Sequence, residues 1–150
     1  MTPHGSTVEK SGQLVPAYPF GWGLSYTTFA FSGLTVTAHG PDVRVAGTVT
    51  NTGSRAGAFL AQVYVSRGMP VGGDTDDFGP RLAAFEKVHL EPGESLPVVL
   101  HLEPRLLARW DADAGAFGIA GGTYQVRIGA HPHDEDGPAQ TTRLQPDLLR

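Results

Sequence analysis

Between Ala17 and Phe31 the chain reads AYPFGWGLSYTTFAF, and six of its 13 Phe, Trp and Tyr residues fall in this stretch. From Tyr18 to Tyr26 a bulky apolar side chain stands at every second position: Tyr18, Phe20, Trp22, Leu24 and Tyr26. Pro19, Gly21, Gly23 and Ser25 occupy the places between. An extended backbone sends alternate side chains to opposite faces. One face is therefore a ridge of aromatics and the other nearly bare backbone. Gly and Pro inside such a pattern argue against a central ladder position and for close approach of another backbone. The stretch reads as a strap that lies against something, with Tyr18, Phe20, Trp22, Leu24 and Tyr26 as its docking face.

The row changes parity at Thr27-Thr28, moving to Phe29 and Phe31, and shifts back after Gly33 to Leu34, Val36 and Ala38. A slip of one residue turns every later side chain over unless a bulge absorbs it. A first strand is expected from about Thr28 to Ala38, broken by Gly40-Pro41. Val43, Val45 and Val49 alternate with Arg44, Thr48 and Thr50 in a second strand, closed by the turn Asn51-Thr52-Gly53-Ser54. A third, from Phe59 to Ser66, sets Ala61, Val63 and Val65 on one face and Gln62 and Tyr64 on the other. Leu82 to Leu90, the type II turn signature Glu91-Pro92-Gly93-Glu94, and the row Leu96, Val98, Leu100 and Leu102 read as a hairpin. Pro97 in the second arm points to an edge. One helical turn is expected from Pro104 to Arg109. A strong strand follows from Thr123 to Ala130, with Tyr124, Val126 and Ile128 inward, and a short edge strand from Thr141 to Leu144.

Gly and Pro together make about a fifth of the 150 residues, a level that fits many tight turns. The pattern as a whole predicts an all-β, immunoglobulin-type β-sandwich of about seven antiparallel strands with an extended N-terminal strap. The expected layout is a flexible arm over 1–16, the strap over 17–27, the sandwich over 28–145 and a tail over 146–150. The net charge of −4, with no Lys/Arg cluster, argues against nucleic acid. No run reaches the length of a signal peptide or a membrane span, so the chain as written is expected to be cytoplasmic and free of the membrane, while a longer parent could be secreted. The absence of cysteine removes disulfides and thiolate chemistry.

Carboxylates are the remaining chemistry. Asp74, Asp76 and Asp77 lie in the long loop from Arg67 to Pro80, Asp111 and Asp113 follow Trp110, and Asp134, Glu135 and Asp136 lie near the end. A retaining glycosidase needs two carboxyl groups about 5–5.5 Å apart, one protonated and one ionised. Acids on glycine-rich, turn-like stretches are normally solvated and keep ordinary pKa values. Asp111-Ala112-Asp113-Ala114-Gly115 is similar to the start of a calcium loop but lacks the third acidic ligand and the distal Glu. His131 and His133 with Asp134 have a spacing common on any acidic loop. No metal, cofactor or catalytic residue is assigned.

Four stretches in order carry a family likeness: YPFGWGLSYTTF, VTNTGSRAGAFLAQVYVS, LAAFEKVHLEPGES and WDADAGAFGIAGGTYQVRIGA. They resemble the C-terminal fibronectin type III-like domain of glycoside hydrolase family 3, the family of β-glucosidases and β-xylosidases. The resemblance runs from about Tyr18 to Ala130. It implies a non-catalytic accessory domain that stabilises catalytic domains, since the family's nucleophile and acid/base belong to a barrel and an α/β sandwich absent from this chain. It also implies a candidate substrate loop, with Asp74, Asp76, Asp77 and Phe78 facing sugar hydroxyls at the outer substrate site. The alternative is a free-standing carbohydrate- or protein-binding module that uses Tyr18, Trp22 and Tyr26 as its platform. Either way the expected partners are a catalytic domain or subunit of a family 3 glycosidase, a carbohydrate, or a second copy of the chain.

Overall fold

The computed structural model describes residues 8–10, 13–15, 23–67, 78–131 and 137–149. Two short strands, β1 (Val8–Lys10) and β2 (Gln13–Val15), pair with each other. The body is built from β3 (Phe29–His39), β4 (Asp42–Asn51), β5 (Gly57–Arg67), β6 (Phe78–Leu90) and β7 (Ser95–His101). After one helical turn, α1 (Pro104–Leu107), come β8 (Arg109–Asp111), β9 (Ala116–Ile119), β10 (Gly122–Gly129), β11 (Ala139–Leu144) and β12 (Asp147–Leu149).

A three-stranded sheet in the order β3-β4-β7 faces a four-stranded sheet in the order β11-β10-β5-β6. These seven strands are antiparallel throughout. The expected sandwich is the fold. Its core alternates as period-two burial requires: Val43, Val45, Val49, Val98 and Leu100 from one sheet meet Ala61, Val63, Val65, Tyr124, Val126 and Ile128 from the other. Tyr124, near the start of β10, donates its hydroxyl to the Ala120 carbonyl at 2.7 Å, the tyrosine corner of such sandwiches. At one side the Gln140 side chain of β11 accepts from the Val36 backbone N–H at 2.9 Å, so the edge of β3 is covered.

The parity shift read from Gly33 is a β-bulge. Phe31 and Ser32 pair with Val49 and Thr48, the ladder resumes at Thr35 and Ala46, and Gly33 takes φ +65°. A left-handed glycine lets the strand accommodate the extra residue and keep Phe29, Phe31, Leu34, Val36 and Ala38 on the core side. Opposite the bulge Gly47 leaves room for the Phe31 ring, since a Cβ there would collide with its Cε1 and Cζ.

Two expectations need correcting. The Glu91–Glu94 turn forms, with Gly93 at φ +76° and Glu94 N–H on the Glu91 carbonyl at 3.0 Å, but its arms are not a paired hairpin. β6 stays with β5 while β7 crosses to β4, on which its edge position accommodates Pro97. Gln62 and Tyr64, on the other face of β5 from Ala61, Val63 and Val65, are buried as well. The Tyr64 hydroxyl donates to Gln62 Oε1 at 2.7 Å, the Gln62 amide donates to the Ala130 carbonyl, and burial raises the Tyr64 pKa above 10.0. Residues 146–150, expected as a tail, contain β12, which pairs with β9 while Leu149 packs on the core. The resulting small sheet, in the order β12-β9-β8, closes one pole of the sandwich.

Candidate functional site

The strap meets the sandwich at the other pole, and one buried side chain organises the meeting. Asn51 ends β4 and is wholly inaccessible. Its amide nitrogen donates to the Arg55 carbonyl at 2.7 Å and to the Leu90 carbonyl at 3.0 Å. Its amide oxygen accepts from Thr27 Oγ1 at 2.8 Å and from the Gly53 N–H at 3.0 Å. All four hydrogen-bonding positions of the side chain are filled, as burial demands. The Asn51 backbone adds two bonds of 2.9 Å to Glu94 and Gly93. One residue thus ties together the strap's last turn, the 51–55 turn and the crossover from β6 to β7.

Thr28 reinforces the joint. Its carbonyl accepts from the Thr52 N–H at 2.9 Å and its hydroxyl accepts from Thr52 Oγ1 at 3.0 Å. The backbone of Thr27-Thr28 comes so close that a Cβ on Gly53 would strike both residues, and one on Gly57 would strike the Thr27 methyl. The parity change at Thr27-Thr28 is therefore the point where the chain is clamped before it enters β3.

Before the clamp, Gly23, Leu24 and Ser25 border the sandwich. Leu24 is 93% and Tyr26 94% exposed, the highest values among the large apolar side chains described. Here opens a groove of about 740 Å³ bordered by Leu24, Phe29, Phe59, Leu60, Ile128 and Pro138. Phe29 and Phe59 form its floor with ring centroids 5.1 Å apart. The arrangement offers apolar area and backbone edges, which is the chemistry of packing.

Of the residues predicted as docking face, Leu24 and Tyr26 are each exposed, with Leu24 at the groove, while Tyr18, Phe20 and Trp22 lie outside the described residues. So do Asp74, Asp76 and Asp77 of the candidate substrate loop, and His133 to Asp136. Phe78 opens β6 opposite Arg67. Asp111 and Asp113 are exposed, and Asp111 Oδ1 accepts from the Asp113 and Ala114 N–H groups at 3.0 Å, folding the turn between β8 and β9. Among the described residues no three His, Asp or Glu side chains come together as a metal site would need. Sequence reasoning treated Asn51 as a turn former and missed it as a hub. It also missed an aromatic pair on the small sheet, Trp110 and Phe117, whose rings meet edge to face at 5.3 Å.

Comparison with known proteins agrees with this architecture. Residues 60–131 match the model of the "Fibronectin type III-like domain". β-Glucosidase 3B from Thermotoga neapolitana superposes with a TM-score of 0.76 at 37% identity, over 91% of this chain and 18% of that one. The fold is a fibronectin type III-like β-sandwich. The chain is 36% identical to part of β-glucosidase B of Emericella nidulans, over 82% of this chain and 14% of the relative. It is 37% identical to part of an exo-α-(1→6)-L-arabinopyranosidase of Bifidobacterium longum, over 78% of this chain and 15% of the relative. The chain spans less than a fifth of the length of each of these three proteins. Within the relatives, then, this fold is one part of a much larger hydrolase.

Proposed function

We propose that this chain is a non-catalytic accessory domain that docks on the catalytic domains of a family 3 glycosidase and stabilises them. The observation that supports the reading best is the exposure of Leu24, at the Phe29–Phe59 groove, and of Tyr26, next to the clamp at Thr27. Large side chains exposed together in a patch are the usual mark of an interaction surface. The clamp holds the strap's base rigid, so less ordering entropy is lost when the ridge is covered. The hydrolytic carboxylates belong, on this reading, to the partner. The acidic stretch with Asp74, Asp76, Asp77 and Phe78 takes the role of shaping the outer substrate site. Asp76→Ala together with Phe78→Ala in a fused enzyme tests this through its aglycone preference, which the reading expects to change.

The docking role is tested in the Thermotoga neapolitana relative by deleting its matching segment and inserting residues 17–149 of this chain in its place. The expected result is an enzyme that retains hydrolysis and resists heat longer than the deletion. A fused enzyme no more heat-resistant than the deletion would remove the reading.

A further inference from the structure

The pole opposite the strap carries a second surface, which the docking role does not use. It is built on the small sheet, where Arg109 pairs with Gly118, Trp110 with Phe117 and Leu148 with Gly118. The Leu148 side chain lies over Gly118, where a Cβ would approach its Cδ2 to 3.1 Å. Trp110 is braced edge to face by Phe117 yet remains 59% exposed. A groove of about 460 Å³ runs beside it, lined by Arg109, Trp110, Asp111, Gly118, Asp147 and Leu148. That volume is within the range of small-ligand sites.

The composition of this groove narrows what fits it. An indole is a broad, flat apolar face, and it lies here among two carboxylates and a guanidinium. The centres of protein–protein interfaces are depleted of aspartate, of which this groove has two. Carboxylates and guanidinium groups are instead suited to paired hydrogen bonds with neighbouring hydroxyls. Asp111 is already oriented, because its Oδ1 is held by two backbone N–H groups of the following turn. A ligand with a flat C–H face and a rim of equatorial hydroxyls satisfies both halves of the groove.

We propose that the groove beside Trp110 binds a β-linked, gluco-configured oligosaccharide, with a pyranose ring stacked on the indole and its hydroxyls on Asp111, Asp147 and Arg109. This site is separate from the strap pole and does not depend on docking to a catalytic body. The test is a titration of the isotopically labelled chain with cellohexaose, followed by nuclear magnetic resonance. Saturable shifts are expected at the Trp110 indole N–H and at the amides of 109–112 and 117–118, with none around Phe29 and Phe59. Trp110→Ala should weaken binding by roughly tenfold or more. Asp111→Asn keeps the Oδ1 acceptor of the turn and so the fold, and should weaken binding several-fold. Leu24→Ser should leave it unchanged, which separates this site from the docking surface. No saturable shift at Trp110, or binding unaltered in Asp111→Asn and Trp110→Ala, would overturn the proposal.

Discussion

The two poles of the sandwich solve opposite problems with different materials. At the strap pole a single buried residue, Asn51, holds three separate segments through four side-chain and two backbone hydrogen bonds, and the apolar side chains of Leu24 and Tyr26 are left outside. At the far pole no comparable hub is described. The closure there is a sheet of three- and four-residue strands, with Ile119 and Leu149 turned onto the core and Trp110 and Leu148 outward. A polar hub fixes direction, because each of its bonds has a geometry that water would otherwise satisfy. A small sheet presents side chains over a groove. The difference suits a joint at one end and a ligand platform at the other.

The contrast predicts where the molecule breaks. Asn51→Ala should be the most damaging substitution. It leaves the Leu90 carbonyl buried without its partner and frees Thr27, a loss of about 3 kcal/mol in the free energy of unfolding, measured by urea denaturation. Gly47→Ala comes next, at about 2 kcal/mol, because the added methyl displaces the Phe31 ring from a packed core. At the far pole Trp110→Ala should cost less than Asn51→Ala, since a ring that is 59% exposed has little area to lose. Equal losses for Asn51→Ala and Trp110→Ala would dissolve the distinction between the poles.

A smaller effect concerns pH and belongs to neither pole. Burial raises the Tyr64 pKa in the folded chain above its unfolded value of 10.0. The folded state then binds the phenolic proton more tightly than the unfolded state. The contribution of this group is full below pH 10.0 and is lost as pH rises from there through the folded pKa. Urea midpoints should fall between pH 9 and pH 11, at roughly the scale set by a single titrating group, and Tyr64→Phe should flatten that decline.

Much of the fold was legible because it is periodic. The valines of β4, the Tyr124-Val126-Ile128 row of β10 and the parity shifts around Thr27 and Gly33 each declare a face, and the structure uses each as read. What escaped was non-local. Nothing in the residues between Leu82 and His101 says that a well-formed turn will deliver its second arm to a different sheet. That choice is made by Asn51, some 40 residues earlier in the chain, which grips Leu90, Gly93 and Glu94. The burial of Gln62 and Tyr64 escaped for a similar reason, since their hydrogen bonds run to each other and to Ala130. Strands as short as β8 and β12 carry too few residues for alternation to register, so the platform beneath Trp110 left no signal beyond the tryptophan itself.

The central claim is that Leu24 and Tyr26 serve a partner and not this fold, and one pair of melting experiments tests it directly. Leu24→Ser with Tyr26→Ser is placed in the isolated chain and in the fused Thermotoga enzyme. In the isolated chain the pair should change unfolding free energy by no more than about 0.5 kcal/mol, because both side chains are already in water. In the fused enzyme it should lower the melting temperature by several degrees. An equal effect in both settings, or none in the fused enzyme, would contradict the account.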